Sequence, residues 1–91
     1  MRYLFFDIEC CNGRDICEFG YVITDENFNI LEKDDIIINP ENKFNLTGRP
    51  GGRNISLFYS KDVYYKAKTF PHYYDRIKKL IEKYCIWNLK N

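Results

Sequence analysis

An apolar run, Tyr3-Leu4-Phe5-Phe6, ends in Asp7-Ile8-Glu9. Side chains in a strand alternate between faces. An extended segment therefore puts Asp7 and Glu9 on one face and Leu4, Phe6 and Ile8 on the other. Two like charges on one side of an apolar strand are costly to bury. The Leu4 side can be packed, whereas the carboxylate side must reach water or a cation. A hard divalent ion such as Mg²⁺ or Mn²⁺ takes oxygen ligands and would neutralise the pair. A strand that simply ends in solvent would satisfy the same carboxylates.

The next segments share the extended pattern. Residues 2–9 read as a buried strand. The turn cluster Asn12-Gly13-Arg14-Asp15 separates it from a second strand over 16–24. A second turn over 25–29 leads to a third strand over 30–38, ended by Asn39-Pro40. Short connections predict an antiparallel three-strand meander. Residues 41–57, with Asn42, Gly48, Pro50, Gly51 and Gly52, read as loop. A short helix is expected from Ser60 to Tyr65, with Ser60 as its N-cap. A longer helix opens at Pro71, a favourable first helical position. Tyr73, Tyr74, Ile77, Leu80, Ile81 and Tyr84 recur there at three- and four-residue intervals, and Arg76, Lys78, Lys79 and Lys83 lie off that stripe. The stripe reads as core.

With 45% hydrophobic and 18% aromatic residues in 91, the chain is globular and long enough for one small domain, residues 1–91. Disorder is excluded. No run approaches membrane-spanning length and no leader pattern opens the chain, so a cytoplasmic protein without membrane contact is expected. Cysteines stand at 10, 11, 17 and 85, there is no CxxC, and His72 is the single histidine. That pattern favours free thiols over a disulfide framework or a zinc site. Charge is unevenly distributed: three Lys/Arg face ten Asp/Glu in residues 1–41, and eleven face three in residues 42–91. Either one half attracts cations and the other phosphates, or the two halves neutralise each other in the fold. Arg49, Arg53, Lys61, Lys66 and Lys68 are candidates for phosphate contact. Arg49-Pro50-Gly51-Gly52-Arg53 reads as an exposed turn.

Four segments taken in order are Phe5–Glu9, Ile16–Asp25, Ile36–Pro40 and Thr69–Ile81. They resemble the front of a DEDD-superfamily 3′–5′ exonuclease, nearest to the proofreading, DNA polymerase III epsilon-like nucleases. Their order and spacing are more specific than Asp-x-Glu alone. The resemblance implies an α/β architecture: a truncated ribonuclease H-like fold, with a three-strand antiparallel meander and one main helix packed on the sheet. It also implies a metal-dependent phosphodiester hydrolase acting on the 3′ ends of single-stranded DNA or RNA. Two Mg²⁺ or Mn²⁺ ions would serve it, with Asp7 bridging both and Glu9 binding one.

By the same resemblance, the backbone around Ile8 and Cys10 lies against the terminal nucleotide. Leu57 and Phe58 would form an apolar wedge near the 3′ base. Their structural alternatives are a strand end for Cys10 and Cys11, and loop-anchoring core positions for Leu57 and Phe58. The family's third acid, its histidine and its fourth acid come from later elements that are not evident here. In one register Ile86–Asn91 is the start of the third-acid segment, with Trp87 standing where a histidine is usual. The chain is therefore expected to be inactive alone, as the amino-terminal part of an exonuclease domain. The alternative is a non-catalytic relic that binds nucleic acid or protein. Only Cys85–Asn91 could supply the strand that flanks the first one in the family. An open edge along Tyr3–Phe6 and self-association through it are expected in consequence.

Overall fold

A computed structural model of the chain describes residues 1–45 and 59–84. Three strands form an open antiparallel sheet in chain order: β1 (Tyr3–Cys10), β2 (Ile16–Thr24) and β3 (Ile30–Ile37). The meander anticipated from the short connections is present, and its turns are built locally. Asn12 Oδ1 accepts the backbone N–H of Arg14 at 3.0 Å and of Asp15 at 2.9 Å, and Gly13 takes φ 87° beside them. At the second turn Asp25 Oδ1 accepts the N–H of Asn27 at 2.8 Å and of Asn29 at 2.9 Å. Phe28 sits in that turn with φ 65°, in the left-handed region.

Two helices follow, α1 (Lys61–Lys66) and α2 (Phe70–Tyr84). Ser60 occupies the N-cap position of α1, but its side chain makes no capping hydrogen bond. Its carbonyl accepts the Val63 N–H instead. The start of α2 falls at Phe70, one residue before Pro71. Asn39 ties the end of β3 to the segment between the helices. Its N–H donates to the Lys68 carbonyl at 2.9 Å and its Nδ2 to the Tyr65 carbonyl at 2.9 Å.

The larger core lies between one sheet face and α2. Phe19, Tyr21 and Ile23 of β2 join Ile36, Ile38 and the α2 residue Ile77. Tyr73, Leu80, Ile81 and Tyr84 pack around them, as the periodicity predicts; Phe70, expected just outside the helix, joins them, and Tyr74, expected in the stripe, is exposed instead. A smaller core forms where α1 meets the sheet: Cys11, Cys17 and Tyr64 are fully buried, flanked by Ile37, Phe44 and Tyr59.

The expectation of a buried first strand is corrected. Phe6 and Ile8 point to the α2 side yet remain 47% and 46% exposed, and Phe5 on the other side is exposed as well. The reason is position. Among the described residues β1 pairs with β2 alone, and the tail Cys85–Asn91, including Trp87, on which the expected open edge depends, lies outside the described residues. The core beneath α2 is centred on β2. No helix among the described residues is long and apolar enough to cross a membrane.

Candidate functional site

Strand pairing lays out the face of the sheet opposite α2 in rows. Asp7 lies across from Gly20, which lies across from Asp35. One step along, Glu9 faces Glu18 and Glu18 faces Ile37; one step back, Phe5 faces Val22 and Val22 faces Lys33. Cross-strand partners share a face. This face therefore carries Asp7, Glu9, Glu18 and Asp35 together. Asp7 and Glu9 share it as the alternation predicts.

The two ends of the face differ in cover. At the Glu18 end, Tyr64 of α1 donates its hydroxyl to Glu18 Oε1 at 2.8 Å, and Tyr59 donates to Asp35 Oδ2 at 3.3 Å. Burial pushes the Glu18 carboxyl up to about 7. The neighbouring Asp35 adds to that rise and the Tyr64 hydroxyl opposes it. Asp35 Oδ1 is buried with no hydrogen-bond partner. A protonated Glu18 is the kind of donor that such an oxygen requires. Burial also raises the Tyr64 hydroxyl, with Glu18 contributing.

Toward the Phe5 end the face is bare. A groove of about 580 Å³ runs over Phe5, Val22 and Lys33 to Asp7, Gly20 and Asp35. Gly20 forms its floor. A Cβ there would meet Asp35 Oδ1 at 3.5 Å, an ordinary contact. The glycine thus leaves a notch between two carboxylates rather than relieving a clash.

The remaining anticipated residues distribute differently. The Ile8 side chain projects to the α2 side, away from the carboxylates, so only its backbone adjoins them. Cys10 is half-buried at an irregularity in the β1–β2 pairing. Cys11 is enclosed in the Tyr64 cluster, where burial raises its thiol. Leu57 and Phe58, like Arg49 and Arg53, lie outside the described residues.

Glu18 and Asp35 were not singled out as site residues from the sequence. A glycine flanked by strand residues marks a place of close approach, but which acids flank it depends on register. Among the described residues no three His, Cys, Asp or Glu side chains converge closely enough to enclose a metal ion. The donor set on β1 still suits Mg²⁺, which is commonly held by one or two carboxylates and keeps several waters. The chain matches no protein-family model, no curated protein and no solved structure.

Proposed function

We propose that the chain is the amino-terminal part of a metal-dependent 3′–5′ exonuclease domain of ribonuclease H-like fold, acting on single-stranded nucleic-acid 3′ ends. The observation that carries this reading is the row Asp7–Gly20–Asp35, with Glu9 and Glu18 beside it, on a sheet face that α2 leaves bare. Four acids on one strand-built surface are unfavourable without a cation or a proton. Asp7 and Glu9 would hold Mg²⁺ or Mn²⁺. When bound, such an ion polarises a phosphodiester and lowers the pKa of a coordinated water. Gly20 keeps the floor low so that a phosphate can approach the backbone. Glu18, pushed up to about 7, exchanges a proton at neutral pH. The reading carries a cytoplasmic setting with it.

A second reading, a non-catalytic nucleic-acid-binding relic of the same fold, is favoured by the lack of a third converging ligand among the described residues. Cation binding and cleavage separate the two. The chain should bind Mn²⁺ weakly, as followed by electron paramagnetic resonance. Asp7→Ala should abolish that binding with little effect on thermal unfolding, because it removes exposed charge rather than core volume. Unchanged Mn²⁺ binding in Asp7→Ala removes the metal assignment. The chain alone should leave a 5′-labelled oligonucleotide intact. Mg²⁺-dependent shortening that disappears in Asp7→Ala would instead show a complete active site within these 91 residues.

A further inference from the structure

The bare end of the carboxylate face carries a cluster of aromatic rings that neither core uses. Tyr3 and Phe5 project from β1 on the same side as Asp7, and Phe28 reaches over from the β2–β3 turn. Tyr3 and Phe28 stack with centroids 5.6 Å apart; Phe5 lies 6.4 Å from Tyr3 and 6.3 Å from Phe28. Phe28 is 66% exposed and Phe5 51%. Burial therefore returns little of what such rings could contribute to folding.

Phe28 is also in the wrong place for a bulky side chain. At φ 65° a residue with a Cβ is strained, and glycine or asparagine is the usual occupant. Backbone preference does not explain a phenylalanine there, and its contacts with Tyr3 and Phe5 leave the ring 66% exposed. Strained, exposed residues gather where the strain serves binding.

We infer that Phe5 and Phe28, with Tyr3 beneath them, form the stacking platform for the bases of a single-stranded nucleic acid whose 3′ end enters the Asp7 groove. The inference rests on the proposed exonuclease reading and adds the surface that holds the substrate upstream of the scissile bond. Three features select this occupant. Exposed aromatic faces accept any base, as a trimming enzyme requires. The platform is continuous with the groove of about 580 Å³, and a base on Phe5 lies one strand step, about 7 Å, from the Asp7 position. Lys33 stands in the same cross-strand row as Phe5 and lines the groove, offering an exposed cation to a phosphate alongside stacked bases.

The test uses the whole chain and fluorescence anisotropy of a 5′-fluorescein 12-nucleotide DNA and of the matching RNA. Measuring in EDTA keeps cation binding out of the signal. Phe28→Gly should weaken binding about tenfold while the thermal midpoint holds or rises, because glycine is at ease at this φ. Phe5→Leu, which keeps the strand apolar but removes the ring, should weaken it by a similar factor. Loss confined to one nucleic acid assigns the platform to that sugar. Unchanged affinity in both variants, or no binding by the parent chain, overturns the inference. So does a fall in thermal midpoint for Phe28→Gly with affinity unchanged in Phe5→Leu, since the rings would then be packing. Concentration-dependent dimerisation in sedimentation that Phe28→Gly abolishes would also overturn it, by giving the platform to a second copy of the chain.

Mn²⁺ binding by the same variants keeps the two readings apart. Phe28→Gly should bind Mn²⁺ like the parent, because Phe28 lies outside the carboxylate row. A parent chain that binds no Mn²⁺ but loses oligonucleotide in Phe28→Gly leaves the platform standing and removes the exonuclease reading. Mn²⁺ binding lost in Asp7→Ala, with oligonucleotide affinity indifferent to Phe28, does the reverse.

Discussion

The two faces of the sheet are made by the same three strands, yet they are put to different uses. Under α2, Phe19, Tyr21, Ile23 and Ile36 are nearly inaccessible and meet a matching helical stripe. On the other side the same strands present Phe5, Asp7, Glu9, Glu18, Gly20 and Asp35. Alternation guarantees that a strand has two sides, but not that both will be packed. The difference shows where stability is concentrated and where residues are free to serve something else.

The strongest way to break that contrast is to truncate one aromatic on each side. Phe19→Ala removes a fully buried ring and should cost about 3–5 kcal/mol in denaturant unfolding, close to the whole stability of a chain this size. Phe5→Ala should cost under about 1 kcal/mol, because the ring is largely in water already. Equal losses would mean that the carboxylate face is a second core.

A smaller effect sharpens the comparison at the roofed end of the carboxylate face. Glu18 has a folded-state value of about 7, above its ordinary 4.5. Between those values the folded chain holds a proton that the unfolded chain has released. The associated stability is fully present below about pH 4.5 and is lost as pH rises through 7. Glu18→Gln cannot ionise and should flatten this slope. It should be more stable than the parent at pH 8, with screening by water at this half-buried group holding the gain to about 1–2 kcal/mol. Thermal unfolding at pH 4.5 and pH 8 checks the sign, and a parent that gains stability toward pH 8 relative to the variant would refute it.

The smallest effect belongs to the rim of the α2 side. Arg76 pairs with Asp34 and donates to the Tyr21 hydroxyl at 3.4 Å, but both ion-pair partners are about half exposed. Arg76→Ala should cost no more than about 1 kcal/mol and should matter less as salt is added. A salt-independent loss several times larger would make this pair part of the core.

Much of the fold could be read from local chemistry. Asn12 and Asp25 make turns with their own neighbours, so the meander was visible in the sequence. The spacing from Tyr73 to Tyr84 marked the packed side of α2 for the same reason. What could not be read was set by distant partners. The residues of β1 are as apolar as those of a buried strand, and although an open edge along Tyr3–Phe6 was expected from the order of the elements, the exposure of Phe5, Phe6 and Ile8 was not legible in them. Asp7 and Glu9 were legible as a pair because they belong to one strand. Asp35 joins them through two successive registers across Gly20, and Glu18 takes its raised proton affinity from burial first and from Asp35 second. Phe28 looked like one more turn residue until its φ and its neighbours were known.

The pocket of Cys11, Cys17 and Tyr64 makes this protein its own stopwatch. Alkylating reagents consume thiolates, and burial leaves the fully enclosed Cys17 pushed up to about 12. At neutral pH its reaction must wait until α1 lifts and water reaches the sulfur. With reagent in excess, the rate at which Cys17 is labelled becomes the rate of that lifting, and its ratio to the global unfolding rate tells whether the event is local. The roof over the Glu18 end can thus be timed in the unmodified chain, with mass spectrometry of the labelled peptide as the clock face.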